Sequence, residues 1–461
     1  MSSWFIKSQR VVLPEGVRAA TIRVDDNQIS EITLGTAGTA GTTGTPGTLG
    51  LPGTLIDAGS AVVLPGLIDT HVHINDPGRA DWEGFETGTR AAAAGGITTV
   101  VDMPLNSIPS TTTVAALEAK RCAAQGRCHV DVGFWGGIVP GNTRQIEPLA
   151  RAGVLGFKCF LSPSGVDEFD HVSEADLRQA MPLIAATGLP LLAHAEWPAL
   201  LREPDAHADP RSYTTWLDSR PATAEQAAIE LLIELSSQTG ARVHIVHLAS
   251  ADALASIAGA RAKGVPISVE TCPHYLTFAA EDVADGDTAV KCAPPIRERE
   301  HRERLWRALS DGHIDLVATD HSPAPATLKH IDDGNFVEAW GGIASLQISL
   351  PVVWTGAAAR GIPIERIAHW MSAAPARLAG LDRRKGAIRP GYDADLVLFD
   401  PDREMTVDAS RLYHRHAATP YDGARLRGVV MATMLRGELV FDHGDCIGGP
   451  SGHAVTPEEP T

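Results

Sequence analysis

The sequence lacks most of what would mark a small secreted, membrane-spanning or nucleic-acid-binding protein. Six cysteines in 461 residues, Cys122, Cys128, Cys159, Cys272, Cys292 and Cys446, show neither the paired spacing of a zinc ribbon nor the density of a disulfide scaffold, so they read as reduced thiols. No window approaches the ~18 apolar residues of a membrane span. The opening Met1-Ser-Ser-Trp-Phe-Ile-Lys7 has no basic stretch followed by an apolar run, as a secretory signal would. A cytoplasmic protein is expected. Positive charge is also scarce: 39 Lys and Arg against 56 Asp and Glu leave a net charge of −17 with no basic cluster, which argues against nucleic acid or an anionic membrane as partner. What is present, 44% hydrophobic and 21% charged residues, is the usage of a globular protein with ample core.

Residues 1–63 read as short strands, interrupted at 35–54 by a Gly- and Thr-rich run with glycine at every third position. Only Pro46 and Pro52 accompany that run, so it reads as an expanded loop and not as collagen. From residue 64 the rhythm changes. Apolar, β-branched runs at 67–74, 98–103, 130–136, 156–161, 189–196, 242–248, 267–272 and 314–320 alternate with stretches of helical period at 86–94, 114–124, 174–186, 224–237 and 251–262. Eight β/α alternations over about 250 residues are the count of a TIM-type (β/α)8 barrel, whose chemistry sits at the C-terminal ends of its strands. After a helical stretch near 364–379, short strands return at 394–399, 428–435 and 438–441. Neither terminal β segment buries a sheet face alone, so the two are expected to join in one small β-sandwich. The domains expected are thus 1–63 and 381–446 for the sandwich, 64–380 for the barrel, and 447–461 as a loose tail.

His71 and His73 stand two apart at the end of the first barrel run, so both project from one face, as two ligands of one metal must. A second such pair, His414 and His416, lies outside any barrel run and reads as a surface pair. The first pair gains weight from polar residues at other strand ends: Lys158 inside Gly-Phe-Lys-Cys-Phe, His194 in Leu-Leu-Ala-His-Ala-Glu, His244 and His247, and Asp320 in Val-Ala-Thr-Asp-His-Ser. An odd spacing puts His244 and His247 on opposite faces; His247, nearer the strand end, is the site candidate and His244 is structural.

These residues and their surroundings resemble the amidohydrolase superfamily and, within it, the cyclic amidohydrolases: allantoinases, dihydroorotases and hydantoinases or dihydropyrimidinases. The resemblance runs from Leu64-Pro-Gly-Leu-Ile-Asp-Thr-His71-Val-His73 through Glu270-Thr-Cys-Pro-His-Tyr275 and Cys292-Ala-Pro-Pro-Ile-Arg297 to Gly391-Tyr-Asp-Ala-Asp-Leu396. It implies two divalent metal ions, one held by His71, His73 and Asp320 and the other by His194 and His247, with a carboxylated Lys158 bridging them. Zinc is the first expectation, and iron, cobalt or manganese suit the same donors. It also implies that Asp320 moves the proton in hydrolytic opening of a cyclic amide, and that the chain forms a homo-oligomer, a tetramer.

Three positions narrow the substrate. Asn75 stands where dihydroorotases carry the Arg that binds a ring carboxylate. Pro163 stands where hydantoinases carry a Tyr, and Cys292-Ala293 where they carry Ser. The stretches 75–79, 82–88, 102–107 and 157–160 resemble the allantoinase branch. The expected reaction is therefore opening of the allantoin ring to allantoate. The ring contacts expected are Asn75, which offers one donor and one acceptor, together with Cys292, Ala293, Gly341 and Gly342, where the family binds the ring. The alternatives are a hydantoinase or dihydropyrimidinase, a dihydroorotase, or a non-catalytic scaffold of the same fold. Lys158 sets superfamily deaminases aside, and all six ligand positions are filled.

Overall fold

The structure is a computed structural model that describes residues 3–35, 42–43, 54–205 and 207–457. Most of the Gly- and Thr-rich run expected as an expanded loop lies outside the described residues. Strands from both ends of the chain share one mixed sheet. The N-terminal part supplies β1 (Ser3–Leu13), β2 (Gly16–Asp25), β3 (Gln28–Leu34), β4 (Thr42–Thr43), β5 (Thr54–Asp57) and β6 (Val62–Pro65). In β1 the burial alternates, with Trp4 and Ile6 facing inward, the period of a sheet with one covered face.

Eight strand positions follow: β7 (Leu67–Val72), β8 (Ile97–Asp102), β9 (Asp131–Phe134) continued by β10 (Gly136–Gly137), β11 (Phe157–Phe160), β12 (Leu191–His194), β13 (Val243–Ile245), β14 (Ile267–Thr271) and β15 (Leu316–Val317). Every pairing among them is parallel. Nearly every residue in them is buried, which is why their sequence reads as unbroken apolar runs and not as alternation. The ring closes where His321, beyond β15, bridges Val72 and its carbonyl accepts the His73 N–H at 2.8 Å. This is the TIM-type barrel expected, with most strands shorter than the apolar runs.

The C-terminal strands β16 (Leu396–Thr406), β17 (Arg425–Leu435), β18 (Glu438–Asp442) and β19 (Asp445–Cys446) complete the terminal sheet. Its order is β19-β18-β17-β16-β6-β1-β2-β3, with β5 on β1 and β4 on β5. The two ends of the chain interlock where β16 pairs antiparallel with β6, Leu396 opposite Pro65 and Phe399 opposite Val62. Trp4, Ile6, Val24, Leu396, Leu398 and Met434 share a core separate from that of the barrel. The sheet claims β6 up to Pro65, slightly past the boundary expected at residue 63.

The expected loose tail is not loose over 452–455. The Val132 N–H donates to His453 O at 2.9 Å, the Val455 N–H donates to Val132 O at 2.9 Å, and Val455 is buried. The segment thus adds a short parallel partner to β9. It can approach so closely because residue 452 is glycine: a Cβ there would lie 1.9 Å from Val130 O.

Candidate metal centre and active site

The strand ends deliver the candidate residues to one place. His71 ends the run of β7, and the chain past β15 carries Asp320. Asp69 fixes the two segments together: its carboxylate accepts the His71 N–H at 3.0 Å and the Thr319 N–H at 3.3 Å. As a result His71 Nε2 lies 3.1 Å and His73 Nε2 3.3 Å from Asp320 Oδ1. One donor atom from each of the three falls within 4.8 Å of the others, the spacing of a candidate metal centre. On the other side, His194 Nδ1 and His247 Nε2 face each other at 3.0 Å, and the His247 ring centroid is 5.3 Å from that of His71.

Carboxylates outside this cluster set which nitrogen of each ring points inward. His71 Nδ1 donates to Glu270 Oε1 at 2.5 Å, which turns Nε2 toward Asp320. His194 Nε2 donates to Glu196 Oε2 at 2.8 Å, which leaves Nδ1 toward His247. Arg220 pairs in turn with Glu196. Neither Glu270 nor Glu196 was expected from the sequence, although Glu270 showed the same signature as Lys158, a charged residue inside an apolar run. His244 holds the other oxygen of Glu270 at 3.0 Å and Ser268 Oγ at 2.7 Å, a structural position.

Lys158, on β11, is fully buried, and its Nζ has no hydrogen-bond partner among the described residues. Burial pulls the amine down to about 8, against the pull of Asp320 and Glu270. Burial likewise pushes His73 down to about 4 and His247 well below the usual imidazole value, so both are neutral donors. His71 moves the other way: burial opposes its charge, but Asp320 and Glu270 outweigh it and lift it to about 9. The pocket therefore holds more negative charge at the His71 corner than its rings neutralise, the condition for binding a cation. Neutral imidazoles, an ionised carboxylate and an orphaned amine together fit a divalent-metal site.

Two of these residues hold sparsely populated backbone conformations, His247 at φ 42° and Asp320 at φ 47°. Each costs about 1–3 kcal/mol and persists only where the surroundings over-determine it, here through the Asp69 bonds beside Asp320 and the His247 N–H bond to Glu270 Oε1 at 3.3 Å.

A cavity of about 360 Å³ opens over the cluster, in the size range of small-molecule sites. Cys292, Ala293, Gly341 and Gly342 are among the residues that line it. Gly342 has φ 149°, and a Cβ there would stand 2.3 Å from Ser322 O. Asn75 does not line the cavity. It holds φ 64° and is fully buried, with neither side-chain polar atom paired among the described residues. The asparagine that does face the cavity is Asn106, after β8, with Nδ2 3.5 Å from His73 Nδ1. The carbonyl of Asn106 is held by Arg79, which also pairs with Glu168. Lys291, Trp216 and Arg220 line the cavity too, and the sequence reading missed all three. Of the His414 and His416 pair expected at the surface, His414 is buried and accepts the Gln347 N–H at 3.2 Å, whereas His416 is half-buried and reaches Asp81 O at 2.8 Å.

A parallel eight-stranded barrel with a histidine and aspartate cluster at its mouth defines a metal-dependent hydrolase. The sequence matches the amidohydrolase family over residues 62–440, and the chain belongs to that family. Members of the family are typically binuclear metal enzymes. The chain is 51% identical over 440 residues to an allantoinase of Streptomyces avermitilis, covering 95% of this chain and 96% of that one. It is 44% identical over 455 residues to an allantoinase of Arabidopsis thaliana, covering 96% and 88%. A solved L-hydantoinase (dihydropyrimidinase) from Arthrobacter aurescens superposes with a TM-score of 0.91 at 32% identity, over 99% of this chain and all of that one.

Proposed function

We propose that this enzyme opens the hydantoin ring of allantoin by hydrolysis to give allantoate, a step of purine or ureide breakdown. The reaction class rests on one observation, the partnerless buried amine of Lys158 among neutral imidazoles and an ionised aspartate. Identity to allantoinases over almost the whole length of both chains supports the substrate.

In this reading His71, His73 and Asp320 would hold one divalent cation and His194 and His247 a second. A neutral Lys158 amine would add CO2, forming an N–C bond and releasing one N–H proton, and the carbamate would supply oxygen donors for the cations. Zinc suits these donors, as do iron, cobalt and manganese. Bound cations supply Lewis acidity, polarising a carbonyl and acidifying water. Asp320 does the proton work. Burial would raise its carboxyl, but His71 and His73 hold it well below the usual range, so it is ionised at neutral pH. It accepts a proton from the attacking water and delivers it to the departing ring nitrogen. Glu270 and Glu196 keep the histidines in the required tautomers. The six cysteines are unpaired, in keeping with a cytoplasmic enzyme, and a homotetramer is the assembly proposed.

The test is carbon-13 NMR of metal-loaded protein equilibrated with labelled bicarbonate, alongside allantoin turnover. A carbamate resonance that is absent in Lys158→Ala, together with allantoate formation, is expected. Turnover without a carbamate signal would contradict the bridging role, and no allantoate would contradict the substrate.

A further inference from the structure

One wall of the cavity is built from two cations on an indole. The Lys291 ammonium lies 4.1 Å and the Arg220 guanidinium 4.8 Å from the Trp216 ring centroid. Trp216 Nε1 donates to Cys292 O at 3.0 Å, which ties the wall to the loop that lines the ring pocket. Lys291 is buried, and it has no carboxylate partner among the described residues. Its ammonium donates to Ala339 O at 2.5 Å and Val337 O at 3.2 Å, so one of its three N–H groups is left over. A buried ammonium on a cavity wall without a counter-ion is costly unless an acceptor arrives.

Allantoin carries three carbonyls. One must reach the histidine and aspartate cluster to be hydrolysed, and the other ring amide group matches the backbone of Cys292–Ala293 and Gly341–Gly342. The third is on the exocyclic ureido arm. We propose that Lys291, braced by Trp216 and Arg220, receives the carbonyl oxygen of that arm and makes the enzyme prefer a 5-ureido ring to an unsubstituted one. This rests on allantoin being the substrate. Burial, with Lys329 and Arg220 adding to it, pulls Lys291 down to about 7, and a further acceptor favours its charged form.

The experiment compares kcat/KM for allantoin and for hydantoin in metal-loaded wild type, Lys291→Met and Lys291→Arg. In Lys291→Met the allantoin-to-hydantoin ratio is expected to fall at least tenfold, chiefly through KM for allantoin, with metal content retained; Lys291→Arg recovers most of it. An unchanged ratio in Lys291→Met overturns the inference and leaves the substrate reading standing. Wild type that opens hydantoin but not allantoin overturns both. A second measurement needs no variant: wild type should show a KM at least tenfold higher for a 5-alkylhydantoin of equal arm length, and an equal KM overturns the inference.

Discussion

At Lys158 the fold buries an amine that has no hydrogen-bond partner among the described residues, a cost that a metal-binding role would offset. Lys158→Ala removes an unpaired polar group, so we expect folding to survive while bound metal and activity fall by most of their value, with partial rescue by a short carboxylic acid; metal analysis and turnover of the same sample check this. Asp320→Asn keeps the shape of the side chain and removes the base, and kcat should fall by about 10²–10⁴, read as a loss that persists at saturating substrate. Residues of this kind were legible in the sequence because a charge inside an apolar run stands out. Lys158, His71 and Asp320 did so, and Glu270 would have by the same rule. Asn75 and Asn106 show where that rule ends. Both are asparagines just past a barrel strand and both adopt left-handed backbone, at φ 64° and 66°. Which one faces the cavity is decided by Arg79 and Glu168 closing over the Asn106 loop, contacts between segments distant in the chain.

The strands of the barrel were readable because burial on both faces leaves unbroken apolar runs, which is also why β15, two residues long, still announced itself as the longer run 314–320. The C-terminal segment was misread for the complementary reason. Its composition is poor in apolar residues, and its attachment comes from backbone pairing along β9, from Gly452 and from the single buried Val455, none of which composition reveals. Deleting 451–461 removes two bonds to Val132, the His453 N–H bond to Asp131 Oδ1 at 2.9 Å and the burial of Val455. A loss of about 3 kcal/mol in stability is expected by denaturant titration, with metal content and kcat/KM of the folded fraction unchanged. A truncated protein as stable as the full chain would show that the pairing with β9 is not a structural support of the barrel.

Across the whole molecule, a buried ion cluster joins the two domains: Lys385 donates to Asp131 of β9 at 2.8 Å and to Asp395 at 2.7 Å, with Asp393 at 3.2 Å, and Arg436 of the terminal sheet pairs with Asp131. Burial would raise Asp131, but Lys385 and Arg436 outweigh it and hold it below its usual 3.8. The folded chain therefore binds fewer protons there than the unfolded chain. That contribution is complete above pH 3.8 and is lost as pH falls through the depressed value. Lys385→Met strands the carboxylates, at a cost of about 3–5 kcal/mol near neutrality. Burial without Lys385 raises the stranded carboxylates, so they take up protons before those of wild type and the gap should narrow as pH falls through the carboxylate range, measured by melting temperature across pH. The purpose this scaffold serves is tested most directly by a turnover panel of metal-loaded wild type on allantoin, hydantoin, dihydrouracil and dihydroorotate. The highest kcat/KM is expected for allantoin, with the other three rings behind it. Equal or faster opening of unsubstituted hydantoin would contradict it.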